Sequence, residues 1–214
     1  MKLRLRAALL IVAVAAFALW RSQLFIVTRP GDHARPLRII PSGQRARAIF
    51  AATLPAIPVG AVRLEPGGTV LVIHYWAPWE RHAATQIAGL DSLARLESLA
   101  VPANGSSARI FAVCFDPFPS VARYVARQRL RVPVLLDTRR ALSAALPCPS
   151  VPYTYAIDRE GRIAISQPGE VDWLDPETRA SLAELRESAA PAPKPGEAPI
   201  SFNATVTTGP RRPR

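Results

Sequence analysis

Few side chains in this sequence can act as nucleophiles, proton carriers or metal ligands. The chain has two cysteines, Cys114 and Cys148, and three histidines. One histidine, His82, follows Glu80 by two residues, a spacing that would suit an acid–base pair or part of a metal site. Residues two apart on a helix do not share a face, however, and no further cluster of cysteine, histidine or acidic residues adjoins them. We therefore expect no metal site and no cofactor.

The elements that must position these residues alternate between strands and helices. Hydrophobic patterning predicts strands over 69–76, 110–115 and 132–137, with helices over 87–96, from 119 onward, and over 139–146. A closing hairpin over 153–158 and 162–166 precedes a final helix, which Asp175 caps and Pro176 begins. His74 falls inside the first strand and is predicted to be an ordinary core histidine. This order predicts an α/β sandwich with a mixed sheet.

Four motifs occur in order along the same region. They are Trp-Ala-Pro-Trp at 76–79, Val-Pro-Val-Leu-Leu-Asp at 132–137, Val-Pro-Tyr-Thr at 151–154 leading to Ile-Asp-Arg-Glu-Gly-Arg at 157–162, and Gly-Glu-Val-Asp-Trp at 169–173. Together they resemble the thioredoxin superfamily, and more specifically its TlpA-like branch of membrane-anchored envelope thiol-disulfide oxidoreductases. The resemblance covers roughly residues 65–187. It implies a thioredoxin-like three-layer sandwich in which helices flank the mixed central sheet.

The redox motif of that family is replaced here. In the family, the Trp-x-x-Trp run leads into Cys-x-x-Cys at a helix start, where the helix dipole lowers the pKa of the first thiol. The four matching positions here are Glu80, Arg81, His82 and Ala83. A carboxylate in the first turn of a helix is favourable in its own right, so Glu80 also fits as a residue that suits the helix start. Dithiol catalysis is therefore not expected, although the resemblance is to enzymes.

The two cysteines leave three alternatives open. In an exported domain, Cys114 and Cys148 could form a disulfide, because the compartment is oxidising. They could equally be two unpaired thiols, since Cys114 lies in an apolar strand where a thiol behaves as a small hydrophobe. Thirdly, Cys148 alone could be a reactive thiol, because its loop resembles the one that faces the active site in the family.

Part of a peptide-binding site is also implied by the resemblance. Pro152 matches the family's cis-proline, and the backbone of the preceding residue, Val151, would then be free to pair with an extended peptide. Such recognition needs main-chain groups and side-chain pockets rather than thiols. Trp79 and Tyr153 are candidates to form the pockets, and both could instead be ordinary rim or core aromatics, as we expect for Trp76.

The net charge of +11, from 27 basic and 16 acidic residues, lies on the two ends of the chain. Residues 1–48 hold nine basic residues and one acidic residue, and residues 188–214 hold four and one, whereas residues 49–187 hold fourteen of each. No aromatic residues interleave with the arginines of the tail, so a nucleic-acid partner is not expected.

The sequence predicts four segments. Residues 1–27 are a signal anchor or signal peptide, because a basic start precedes an apolar run. Residues 28–62 are a Pro- and Arg-rich spacer, 63–187 the thioredoxin-like domain, and 188–214 a disordered tail. We expect a single-pass protein of a bacterial inner membrane, held through residues 7–27 with its domain in the periplasm or outside. The alternative is secretion after signal cleavage.

Two functions follow from these expectations. The first is a redox-inactive binding or assembly partner of other envelope proteins or peptides. The alternative is a thiol-disulfide oxidoreductase acting through Cys148 with Cys114, for example in cytochrome c maturation or envelope redox homeostasis.

Overall fold

A seven-stranded mixed sheet runs through the residues that the computed structural model describes, which are 34–99 and 108–188. In chain order the elements are β1 (Ala52–Ile57), β2 (Gly60–Leu64), β3 (Leu71–Tyr75), α1 (Ala83–Leu99), β4 (Arg109–Cys114), α2 (Phe118–Gln128), β5 (Val134–Leu136), β6 (Tyr153–Ile157), β7 (Ile163–Pro168) and α3 (Pro176–Glu187). The spatial order is β2-β1-β5-β4-β3-β6-β7. Strands β3, β4 and β5 are parallel, and the other neighbours are antiparallel.

Strand β3 is buried on both faces, because four of its five residues are apolar or aromatic and the fifth, His74, is also fully buried. Val72 and Trp76 point into a core that contains the buried residues of α1, α2 and α3. Ile73 and Tyr75 point into a second core on the opposite face. The predicted mixed α/β sheet is therefore confirmed, and the helices of the described residues lie on one of its faces.

The second face is covered without a helix. A short helix was predicted over 139–146, but these residues form a succession of turns, so that prediction is wrong. Asp137 explains the turns, because its buried carboxylate accepts hydrogen bonds from the backbone N–H groups of Leu142 and Ser143. These bonds fold the chain back, and Leu142 and Leu146 are fully buried against the sheet.

The predicted spacer also requires correction, because much of 28–62 belongs to the folded domain. Strand β1 alternates buried and exposed residues and pairs with both β2 and β5. The prolines at 55 and 58 conceal this pattern in the sequence. Further upstream, Leu37 is buried in the main core and its N–H donates to the hydroxyl of Thr178. The domain therefore begins well before residue 63.

The predicted anchor, residues 1–27, and all of the predicted tail except Ser188 lie outside the described residues. Among residues 34–99 and 108–188, no helix has the length and apolar character needed to cross a membrane. The predicted cap of α3 is confirmed, since the Asp175 carboxylate accepts from the N–H of Glu177 and Pro176 is the first helical residue.

Candidate functional site

The candidate site residues meet at one edge of the sheet. Strands β3, β4 and β5 are parallel and all end at this edge. Strand β6 runs antiparallel to β3 and begins there, with Tyr153 opposite Tyr75. Strand β7 ends there, with Pro168 opposite Tyr153. Segments far apart in the sequence, namely 76–82, 115–118, 148–152 and 169–173, therefore leave the sheet together at what we call the site edge.

Glu80 and His82 lie in the turn that precedes α1 rather than on the helix itself. The carboxylate of Glu80 accepts a hydrogen bond of 2.9 Å from the backbone N–H of His82. It therefore satisfies one of the donors that a helix start leaves unpaired. Residues two apart on a helix point to different faces, but Glu80 and His82 lie in a turn, so this expectation does not apply to them.

A third residue, Glu170, completes a cluster that the sequence did not reveal. Its carboxylate pairs with Nδ1 of His82, although the two residues are 88 positions apart. One ligand atom each from Glu80, His82 and Glu170 lie within 4.8 Å of one another. The signal that could have found Glu170 is its place just after the closing hairpin, because the second strand of that hairpin must end at the site edge.

The loop that carries Glu170 is held by α1. Gln86, which stands where the family often has a glutamate, is buried, and its side-chain oxygen accepts a 3.0 Å hydrogen bond from the N–H of Val171. Two residues further on, Trp173 packs so closely on α1 that a Cβ at Gly89 would lie 3.0 Å from its ring. The position of Glu170 therefore follows from contacts of its neighbours with the helix.

No thiol lies among the positions that match the family's redox motif. Ala83 is buried and is the first residue of α1, while Arg81 is exposed. Both cysteines of the chain are free. Cys114 packs into the core on the helical face of the sheet, and Cys148 packs against the core of the opposite face. Of the three alternatives, the disulfide is therefore absent, because the sheet separates the two sulfur atoms.

Both thiols are poor nucleophiles in this environment. Burial raises the pKa of Cys114 to about 11. Burial also raises the pKa of Cys148 to about 12, despite the nearby charge of Arg140 and a hydrogen bond at Ser150. Because the thiolate is the reactive form, both side chains are essentially protonated near neutral pH.

The residues predicted to bind a peptide all lie at the site edge. Trp79 is 71% exposed. The Val151–Pro152 peptide bond is cis, and within the described residues neither the N–H nor the C=O of Val151 has a backbone hydrogen-bond partner. Tyr153 is half-buried, with its hydroxyl hydrogen-bonded to Ser166 at 2.9 Å. Trp76, by contrast, is a core residue, as predicted.

One exposed aromatic residue at this edge was not singled out from the sequence. Phe118 begins α2 directly after the β4 end and is 57% exposed. Because Trp79 follows the neighbouring strand β3, two large exposed rings lie at the same edge. The sequence signal was the proximity of Phe118 to a strand end, which is where loops carry function.

His74 lies beneath this edge as a buried core residue, as predicted. Its Nδ1 is 3.0 Å from the hydroxyl of Thr154, and its ring packs edge-on against Trp173 with the centroids 5.0 Å apart. Burial lowers the pKa of His74 to about 3, so the imidazole is neutral in the folded protein. A neutral, fully buried ring of this kind is a structural residue.

The sheet order and the site edge define a thioredoxin-like fold, and solved structures with the same fold agree. A DsbF homologue from Corynebacterium diphtheriae has a TM-score of 0.54 at 16% identity, over 75% of this chain and 99% of that one. The exposed lipoprotein thioredoxin Etrx1 from Streptococcus pneumoniae has a TM-score of 0.52 at 19% identity, over 63% and 99%. The thioredoxin domain of a thiol-disulfide oxidoreductase from Bacteroides vulgatus has 0.51 at 13%, over 65% and 98%.

These likenesses confirm the resemblance to the thioredoxin superfamily at the level of the fold. No protein-family model matches the sequence, and no curated protein matches it. What the site does must therefore be argued from its own residues.

Proposed function

We propose that this chain is an envelope protein whose thioredoxin-like domain binds or assembles with other envelope proteins without dithiol chemistry. The observation that carries this proposal is the start of α1, where Glu80 and His82 lie and Ala83 is buried. A thiolate at such a helix start is what attacks a disulfide. A carboxylate that accepts a backbone N–H at the same place has no route to disulfide exchange.

The remaining thiols support the same function. Cys114 is completely buried in the core, and Cys148 is partly buried with its S–H donated to the carbonyl of Ser150. Their pKa values of about 11 and about 12 leave very little thiolate near neutral pH. With the two cysteines on opposite faces of the sheet, neither can resolve a mixed disulfide formed by the other.

The binding surface that we propose is the site edge around Trp79, Phe118 and Val151. The free N–H and C=O of Val151 can pair with the backbone of an extended segment, as in strand addition. Trp79 and Phe118 offer exposed apolar area at the same edge of the sheet. Aromatic side chains of this kind commonly contribute most of the energy of a protein interface.

We place the domain at a bacterial inner membrane, held through residues 7–27 and facing the periplasm or the outside. The support is the sequence, in which Lys2, Arg4 and Arg6 precede the apolar run and favour an inside N-terminus. Cleavage of this segment would give a secreted form with the same domain.

A disulfide-reduction assay separates this proposal from oxidoreductase activity through Cys148. The purified chain is mixed with insulin and a dithiol donor, and turbidity from reduced insulin is followed. We expect the chain and its Cys148→Ser variant to match the rate without protein, because neither supplies a thiolate. Activity that disappears in Cys148→Ser would contradict the proposal and favour the oxidoreductase alternative.

A further inference from the structure

The cluster at the site edge has a chemistry that peptide binding does not use. Glu80, His82 and Glu170 present two carboxylates and one imidazole from two separate segments of the chain. The side chain of His82 is 49% exposed, and that of Glu170 is 17% exposed. The cluster is therefore open to solvent on one side and held by the fold on the other.

We propose that Glu80, His82 and Glu170 bind one divalent transition-metal ion of the zinc type. Imidazole nitrogen and carboxylate oxygen are ordinary ligands of Zn²⁺, and three protein ligands leave its fourth position open. This assignment goes against the expectation drawn from the sequence. That expectation rested on a helical position for Glu80 and His82 and on the absence of a third ligand.

The distances are compatible with such a site. Ligand atoms around a tetrahedral Zn²⁺ with bonds of 2.0–2.1 Å lie roughly 3.4 Å apart. The three atoms here are already within 4.8 Å of one another, and Nδ1 of His82 contacts the Glu170 carboxylate. Binding would replace that hydrogen bond with coordination by Nδ1, the imidazole carrying its proton on Nε2. Rotation of the half-exposed His82 side chain can supply the remaining approach.

The local charge also favours a cation. The start of α1 contributes about half a positive elementary charge, which opposes cation binding. Two carboxylates outweigh that charge about fourfold, and a divalent ion would neutralise them. Gln86 fixes the Glu170 loop through its 3.0 Å bond with Val171, so part of the ligand set is held in place before binding.

A buried hydroxyl that interacts electrostatically with Glu80 points the same way. Tyr124 is 7% exposed, and its hydroxyl has no hydrogen-bond partner within the described residues. Burial raises the pKa of Tyr124; the positive charge of Arg127 opposes this effect and the negative charge of Glu80 adds to it. A ligating carboxylate usually has an outer hydrogen-bond donor, and the Tyr124 hydroxyl is available for that role.

Calorimetric titration with ZnCl2 tests the site on the full chain in detergent. Cys114→Ser and Cys148→Ser form the background, so that no thiol competes for zinc. We expect one Zn²⁺ per chain, with affinity reduced at least about tenfold in His82→Ala and in Glu170→Gln. Titration with Co²⁺ should give the intense visible absorption of a four-coordinate ion, and His82→Ala should lose it.

Matched controls make the result specific. His33→Ala removes a histidine that is not one of the three proposed ligands, and Glu177→Gln removes an exposed carboxylate at the start of α3; both should bind zinc as the parent does. Zinc should raise the melting temperature of the parent and leave that of His82→Ala unchanged. No zinc binding by the parent, or equal affinity in parent and His82→Ala, would overturn the proposal. Neither outcome would bear on peptide capture, which uses other residues.

Discussion

At the scale of single residues, the site differs from a dithiol redox centre in the group that stands at the helix start. The start of α1 favours a negative charge, and in a thioredoxin-like enzyme that charge is a thiolate. Here the carboxylate of Glu80 receives the N–H of His82 instead. The start of α1 therefore faces a carboxylate, and position 80 carries no thiol.

A residue-scale prediction concerns His74 and pH. Its pKa is about 3 in the folded protein and near 6.5 when unfolded, so between these values the unfolded state binds one more proton. Stability from this residue is complete well above pH 6.5 and falls below it, with a slope that approaches about 1.4 kcal/mol per pH unit. Denaturant melts at pH 5.0–6.5 should show this slope, and His74→Asn should remove it. A variant that keeps the full slope would show that His74 is not its source.

At the scale of elements, a carboxylate on α1 holds the loop between α2 and β5. Asp91 on α1 accepts from the N–H groups of Arg131 and Val132 at 2.6 and 2.7 Å, and it also pairs with Arg95. Burial alone would raise the pKa of Asp91, but these hydrogen bonds lower it overall. The carboxylate thus fixes the loop that leads into β5.

Replacement of Asp91 tests this contact. Asp91→Ala leaves two backbone donors at or near the core without an acceptor, and we expect a loss of roughly 2–4 kcal/mol in the free energy of unfolding. Glu184→Ala on α3 removes an exposed helical carboxylate and should change stability by less than about 0.5 kcal/mol. Urea melts of the two variants give both values. Equal effects would mean that the Asp91 contacts carry no stability of their own.

The elements that could be read from the sequence are those with an unbroken local signal. Strand β3 was predicted because its run of apolar and aromatic residues is broken only by His74, and the cap of α3 because Asp175 and Pro176 are adjacent. Strand β1 was missed because Pro55 interrupts its alternation, although β5 pairs with β1 only at Ala56 and Ile57. Pro55 has no partner residue in β5, so its missing N–H costs no hydrogen bond with that strand.

The site could be predicted only in part, for a related reason. The family resemblance located Glu80 and His82, because they follow the Trp-Ala-Pro-Trp run at 76–79. The approach of Glu170 depends on tertiary contacts across 88 positions, which no local pattern encodes. The face on which Cys148 lies likewise follows from the route of the chain after β5, where turns replace the expected helix.

At the scale of the whole molecule, residues 34–62 are part of the domain. Leu37 and Leu54 are buried in opposite cores, and Arg45 forms a buried ion pair of 3.1 Å with Asp158. Two such leucines contribute roughly 3–6 kcal/mol, against a total stability of about 5–15 kcal/mol for a typical domain. Deleting this segment would therefore remove much of the free energy of unfolding of the domain.

Truncation tests this account of the domain boundary. A chain that starts at residue 34 should unfold cooperatively, whereas one that starts at residue 63, the boundary expected from the sequence, should lack a cooperative thermal transition. Circular dichroism on heating measures both. Equal melting temperatures would show that the upstream segment is a spacer after all.

The central claim is that the site edge captures protein without thiol chemistry, and photo-crosslinking in membranes tests it most directly. Trp79 is replaced by a photoreactive aromatic residue in a chain with Cys114→Ser and Cys148→Ser. The same replacement at Val59, exposed in the β1–β2 turn at the opposite edge of the sheet, is the control. We predict a discrete adduct from position 79, retained without cysteines and absent from position 59. Only background adducts from position 79, or an adduct that requires the cysteines, would contradict the claim.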